Sequence, residues 1–469
     1  MNFGARLYAE LRGDRVIWMI LAVLSIFSIL TVYSSTGTIA YKLSGGNTTG
    51  YLMKHVVILG FGLFLAYLAY LTPYMRFMKM APWLWLIAFG LLVFTLAFGK
   101  DINHARRWIE IPFINLTFQT SDFAKLALIL LVSREITRHK DYIKDFNKAF
   151  MPIILPIIII CGLIAPADLS TAIVLFVTCF AMMFIGRVDF KFMFLLVLLA
   201  IVLFAFLIVV HKFAPDVVRV DTWISRVQDF WNNPEGSFQN QQAKIAIANG
   251  EWIGSGPGNS IQRNYLPTPY ADFIFAVFCE EYGLIGSFLL LSLYVMLFFR
   301  VTRLVTISEK SFGAMVALGL SLNIVVQALA NMAISVHLVP VGGLTLPMVS
   351  WGGTSVLFTC IFFGIILSVS RYIEAAAAQS ALATEAAVAT TGGGQTNQPP
   401  QGSGGTSQSG GNQGGGGQNR GGGYQGGGGQ NKGGGYQGGG QHRGGGGGNQ
   451  GGGGQNKGGG NQGGGQNRK

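Results

Sequence analysis

The 469-residue chain is 50% hydrophobic and only 12% charged, with a formal net charge of +12. A soluble domain carries about 25% charged residues, so this composition excludes an ordinary aqueous globule. The charge also describes no single basic surface. Residues 392–469 hold 40 of the 66 glycines, six Lys/Arg and no acid, whereas the first 391 residues carry 27 Lys/Arg against 21 Asp/Glu and are about 60% hydrophobic. Such a split gives no reason to expect a specific nucleic-acid partner. Cys161, Cys179, Cys279 and Cys360 fall in apolar runs without metal-type spacing and read as small buried hydrophobes.

Ten apolar stretches have the length of a membrane-crossing helix: 16–33, 51–71, 81–98, 118–132, 149–165, 169–186, 192–210, 273–299, 312–335 and 344–370. About 20 residues at 1.5 Å rise cross the hydrocarbon layer. The expected architecture is therefore an all-α polytopic membrane protein with ten transmembrane helices over residues 1–373. A large extracytoplasmic loop, 211–272, separates helices 7 and 8. Ten spans put both termini on one side. The short loops on that side carry Arg76 and Lys79, then Arg134, Arg138 and Lys140, then Arg187 and Lys191, then Arg300 and Arg303. The excess of basic residues makes this side cytoplasmic. Residues 374–469, rich in Gly, Gln and Asn, cannot bury enough apolar surface to offset ordering entropy and are expected to be disordered in the cytoplasm.

Ionisable groups at membrane depth are costly and face partners or cavities. Along the chain, the first such group lies in ARRWIEIPFINLTFQTSDFAK. Asp122 and Lys125 are spaced i,i+3, so they share a helix face and can pair. That pair either holds helices together or lines a polar cavity. Arg106, Arg107 and Trp108 precede it on the outer side. Trp there can be a simple membrane anchor, but two arginines against the charge bias point to an anionic ligand, and the arginine fork suits phosphate. In the large loop, Trp223, Phe230, Trp231 and Trp252 alternate with polar residues, as in segments lying on a membrane surface. The glycines at 250, 254, 256 and 258 permit tight turns or close approach to a ligand. Asp272 stands directly before a long apolar helix, where a carboxylate can cap the helix or act as a general base. Glu280 and Glu281 lie two turns deeper, where at least one must face protein. Before the last helix, Asn331 and His337 precede Pro340, Gly342, Gly343, Pro347, Gly352 and Gly353, which interrupt helical continuity. Broken backbone at that depth needs protein or a cavity around it.

Three motifs together resemble the SEDS family, the multi-spanning glycosyltransferases of bacterial cell-wall growth. They are ARRWI…FQTSDFAK, NQQAKIAIANGEWIGSGPGNSIQRNYLPTPYADFIFAVFCEEYGLIG, and LVPVGGLTLPMVSWGGTS, and the resemblance runs from about residue 16 to 371. The last motif is more like the FtsW-type division members than the RodA-type elongation members. Departures from the family pattern are NHARRW for NGARRW, QTSD for QPSE, SWGG for SYGG and PTPYADFIF for PEAHTDFIF. Thr268 and Tyr270 thus replace ionisable positions, whereas Asp272 is retained.

The resemblance implies polymerisation of lipid II at the outer face of a bacterial inner membrane. Asp272 would be the general base, and undecaprenyl pyrophosphate would leave with inversion. Arg107, Lys125 and Lys244 are the candidate pyrophosphate ligands. Trp108, Asp122, Gly254, Gly256, Gln262, Pro267, Glu280, Pro340, Ser350, Gly352 and Gly353 complete the expected substrate-binding set. No cofactor or metal-ligand cluster is readable, although a divalent cation can assist such chemistry. A class B penicillin-binding transpeptidase and other divisome or elongasome membrane proteins are the expected partners. The alternatives are a lipid II flippase or transporter and a non-catalytic division scaffold.

Overall fold

The computed structural model describes residues 13–37, 48–102, 105–111, 116–142, 145–146, 150–213, 218–233, 235–307 and 312–392. All lie in one unit, Met1–Thr396; the second unit, Asn397–Lys469, is outside the described residues. The chain is dominated by helices: α1 (Arg15–Ser35), α2 (Thr48–Leu71), α3 (Tyr74–Phe98), α4 (Thr120–Arg138), α5 (Met151–Ile164), α6 (Leu169–Ile185), α7 (Phe190–Phe213), α8 (Val220–Asn232), α9 (Phe238–Asn249), α10 (Ile274–Ile307), α11 (Phe312–Ser335) and α12 (Thr354–Gly392). Seven of them, α1, α2, α3, α7, α10, α11 and α12, are long and apolar enough to cross a membrane, and α5 and α6 are shorter apolar helices. Helix α4 fills the remaining expected position. Its 19 residues include Asp122, Lys125, Arg134 and Glu135, which make it more polar than its neighbours, yet it is buried along most of its length.

The helices sort by what surrounds them. Helix α11 is buried on nearly every side and forms the axis of the bundle. By contrast, α7 is apolar all round yet exposed, with Phe190 at 72% and Phe194 at 73%. A helix with no polar face and so little protein cover needs a non-aqueous surround. Asp14 ties the start of α1 to α10 and α12. It caps α1 by accepting from the Val16 amide at 2.9 Å, pairs with Arg300 of α10 at 2.8 Å, and donates its own amide to Ser370 Oγ of α12 at 2.8 Å.

The structure corrects the sequence reading in four places. A three-stranded antiparallel sheet, β1 (Lys100–Ile102), β2 (Ala105–Ile111) and β3 (Leu116–Gln119), stands where an irregular loop over 99–117 was expected in an all-α chain. Aromatic and β-branched residues pair across it, Trp108 opposite Gln119 and Ile109 opposite Phe118, and the ladder satisfies a backbone that would otherwise sit unpaired at the edge of the bundle. The stretch 118–132 accordingly opens as strand and becomes helix only at Thr120. The last long helix starts at Thr354 rather than near 344, because Pro347, Gly352 and Gly353 keep the preceding segment irregular. At its other end α12 continues to Gly392, past the expected boundary at 373, through an alanine-rich run with high helix propensity. The rest of the expected tail, 393–469, lies outside the described residues.

Helix α10 is broken at Gly283, whose φ is 66° and ψ −169°. The loop after α9 repairs the break. Ser255 and Gly256 donate their amides to the freed carbonyls of Glu280 and Glu281 at 2.9 and 3.0 Å, and the Leu284 and Ile285 amides donate to Glu251 and Trp252 carbonyls at 2.9 and 3.2 Å. Gly254 sits at φ +89°, and a Cβ there would lie 2.2 Å from the Glu281 carbonyl oxygen. Gly254→Ala is therefore expected to lower the thermal unfolding temperature of the purified protein clearly, since the backbone conformation alone costs about 1–3 kcal/mol for a side chain. An unchanged unfolding temperature contradicts this packing.

Candidate active site

A cavity of about 450 Å³ opens between the β-sheet, α2, α8 and the irregular segment before α12. Among the described residues four cationic side chains line it, Lys54, Arg107, Arg219 and Arg226, against one carboxylate, Asp272. Trp108, Thr117 and Gln119 from the sheet, together with Tyr270, Thr345 and Trp351, complete much of the wall. Four cations facing one acid make a site for an anion.

Asp272 is placed by its backbone. Asn331 of α11 donates its side-chain amide to the Asp272 carbonyl at 2.8 Å and to the Leu344 carbonyl at 2.7 Å. Ser350 Oγ donates to the Ala271 carbonyl at 2.8 Å and accepts from the Leu346 amide at 2.7 Å. The Trp351 amide donates to the Tyr270 carbonyl at 2.9 Å, and the two rings meet edge to face at 5.3 Å. Three successive residues before α10 are thus fastened to the irregular segment, leaving the carboxylate directed at the cavity. Among the described residues the carboxylate makes no capping bond to α10 and lines the cavity instead. Gly343 lets the groups converge. A Cβ on it would stand 3.4 Å from Arg107 Nη1 and 3.9 Å from Asp272 Oδ2.

Arg107 reaches the same point from β2. Its Nε donates to the Ala167 carbonyl at 2.7 Å and its Nη1 pairs with Asp168 at 3.1 Å. Asp168 is itself fixed as the cap of α6, accepting from the Thr171 amide at 3.1 Å. Burial pushes the Asp272 carboxyl up to about 6, with Arg107 and Arg226 pulling it down and Asp168 pushing it up. Burial and the neighbouring Arg107 lower the guanidinium of Arg226, while Asp168 and Asp272 oppose this. Crowded cations that repel one another are relieved by a bound anion.

The structure distributes the expected site residues unevenly. Arg107, Trp108, Asp272, Gly352 and Gly353 line the cavity. Ser350 supports it from behind, and Pro340 belongs to the irregular segment near it. Lys125 and Asp122 form a buried ion pair at 2.8 Å one layer away. Lys125 donates to Gln327 Oε1 at 3.2 Å, and the Gln327 amide holds the Thr345 carbonyl at 2.9 Å, so the pair acts on the cavity through Thr345. Gly254, Gly256, Gln262 and Glu280 build the repair of α10 instead. Glu280 accepts from the Ile261 and Gln262 amides at 3.2 and 3.1 Å and from Ser260 Oγ. Lys244, on α9, is half-buried and outside the cavity, and Pro267 lines a neighbouring one.

Sequence reasoning missed Lys54, Asp168, Arg219 and Arg226. The two arginines carried the signal that marked Arg106 and Arg107: basic residues on the side where the charge bias allows few. Their spacing of seven also returns a helix to nearly the same face. Among the described residues, no three His, Cys, Asp or Glu side chains gather to hold a metal ion. For Lys125→Ala and Asp122→Ala, leaving either partner buried alone is expected to cost about 3–5 kcal/mol of stability. Catalytic activity should fall with it, read by thermal unfolding and turnover on the same preparations. Wild-type values for both variants contradict the coupling through Gln327.

Comparison with known proteins places these residues in context. The cell cycle protein family of FtsW, RodA and SpoVE matches residues 14–375. A protein of Hydrogenovibrio crunogenus named probable peptidoglycan glycosyltransferase FtsW is 34% identical over 360 residues, covering 75% of this chain and 90% of that protein. A relative of the same name in Coxiella burnetii is 33% identical over 368 residues, covering 76% and 96%. Among solved structures, one described as "Structural coordination of polymerization and crosslinking by a peptidoglycan synthase complex" shares the fold with a TM-score of 0.59 at 24% identity, covering 77% of this chain and 98% of that one. The rod shape determining protein RodA of Thermus thermophilus gives a TM-score of 0.55 at 23% identity, covering 77% and 98%.

Proposed function

The chain belongs to the FtsW, RodA and SpoVE family of cell cycle proteins, and from that premise we propose that it is a peptidoglycan glycosyltransferase polymerising lipid II during cell division. The observation that carries the reading is the juxtaposition of Asp272 with four cations around one cavity. In this account ten helices cross a bacterial inner membrane, both termini are cytoplasmic, and the cavity opens to the outer side. Residues 1–373 contain the catalytic body, and the glycine-rich tail is a cytoplasmic extension.

The reaction needs a base, a cradle for a pyrophosphate leaving group that gains negative charge and an apolar path for polyprenyl chains. A sugar hydroxyl of the incoming lipid II gives its proton to Asp272. The hydroxyl oxygen bonds to the anomeric carbon of the growing strand. The bond from that carbon to the pyrophosphate breaks, and undecaprenyl pyrophosphate takes the electron pair, with inversion at the carbon. A carboxyl raised to about 6 is a stronger base than an ordinary one and still largely ionised at neutral pH. Arg107, with Arg226, Arg219 and Lys54, meets the charge that develops on the leaving phosphates. Among the described residues the cavity lining, one carboxylate among four cations, suits an anion better than a resident divalent cation.

A class B penicillin-binding transpeptidase is the proposed partner, supported by the similarity of fold to a chain from a synthase complex. The test is to purify the full chain with such a transpeptidase and supply labelled lipid II. Glycan polymer is the expected product. Transbilayer movement of lipid II with no polymer would favour a flippase instead.

A further inference from the structure

A second cavity, of about 350 Å³, lies on the other side of Arg226. Its wall includes Asp229, Phe230, Gln239, Asn240 and Pro267. Small-ligand sites begin at about 300 Å³. The two cavities share Arg226 and differ in charge. Among the described residues the first has four cations and one carboxylate, whereas the second has Arg226 against Asp229. The first selects an anion, and the second suits a neutral ligand with many hydrogen-bonding groups.

The second wall is prepared for such a ligand. Asn240 is buried and held by its side-chain contact with His337 Nδ1 at 2.8 Å, and the Phe230 ring packs on that imidazole at 5.0 Å. These contacts fix one side of the cavity. The exposed Asp229 and half-buried Gln239 make no side-chain hydrogen bond to any described residue, and Oδ1 of the buried Asn240 has no hydrogen-bond partner among them, so polar groups remain for a ligand. Carboxylate and amide groups exchange hydrogen bonds with sugar hydroxyls and acetamido groups, while an aromatic ring packs against the apolar face of a sugar.

We propose that this second cavity is a saccharide subsite that holds the growing glycan strand. The inference rests on the polymerase reading of the first cavity. Both reacting sugars must meet at Asp272, and the pyrophosphates occupy the cationic wall. The strand's older sugars need a path out. The cavity beyond Arg226 is adjacent, uncharged overall and polar. A strand held there stays bound between additions, so the subsite sets how many sugars are joined before release.

The experiment uses the full-length chain with its transpeptidase in proteoliposomes and labelled lipid II. Strand length is measured at equal lipid II consumption for the wild type, Asp229→Ala and Gln239→Ala, with thermal unfolding confirming that each variant is folded. Losing one hydrogen bond to the strand is expected to shorten the mean product about two- to tenfold. Wild-type strand length in both folded variants overturns the subsite and leaves the polymerase reading standing. No polymer from the wild type overturns both.

Discussion

Asp272→Asn is expected to leave a folded, membrane-inserted protein that polymerises lipid II about 10²–10⁴-fold more slowly than the wild type. Asparagine has the size of aspartate, and the contacts that place residue 272 are made by backbone. Asn331 holds its carbonyl, and Ser350 and Trp351 hold the two residues before it. The substitution therefore removes the base and little else. Equal thermal unfolding of the two proteins, with polymer from one alone, is the expected pair of results. Polymer at the wild-type rate from the variant would move the chemistry elsewhere and favour a scaffolding role.

Arg107→Ala should produce the second-largest effect, on both activity and stability. Arg107 joins β2 to the loop before α6 through Ala167 and Asp168, and both members of the ion pair are largely buried, at 13% and 4% side-chain exposure. Removing the arginine strands Asp168, at an expected cost of about 3–5 kcal/mol. The cavity also loses a donor to the leaving phosphates, expected to cost about a hundredfold or more in turnover. A third effect follows from charge. Arg107 lowers the Asp272 carboxyl, so its loss raises that carboxyl above 6 and shifts the acidic limb of activity to higher pH. The double variant Arg107→Ala, Asp168→Ala should regain part of the stability, short of the α6 cap that Asp168 supplies, without regaining turnover. Recovery of both would make the arginine purely structural.

What could be read from the chain and what could not divide along physical lines. Helix-length apolar runs, cut by basic turns and prolines, are visible because lipid imposes a composition on every residue that faces it. Asp272 and Arg107 are visible because charged groups at the edge of apolar runs violate that composition. The β-sheet was not, since a strand as short as Leu116–Gln119 leading straight into α4 reads as the start of a helix. Glu280 looked like a site residue because a buried carboxylate is costly; the cost is met by the Ile261 and Gln262 amides and Ser260 of a loop that no periodicity predicts. Lys125 likewise reads as a candidate phosphate ligand; its pairing with Asp122 is legible from the i,i+3 spacing, but its bond to Gln327 comes only from tertiary packing. Arg226 and Asp168 gained their meaning from chain-distant neighbours, Arg107 and Asp272, which a local pattern does not contain.

The central claim is that a carboxylate raised by burial takes the proton of the attacking hydroxyl. It is tested most directly by the pH dependence of kcat/KM for labelled lipid II, which reports the base of the free enzyme. The base form of Asp272 is lost as pH falls through its pKa, so activity should rise through a midpoint near 6 and then level off. Activity that is flat between about pH 5 and pH 8 would contradict the account.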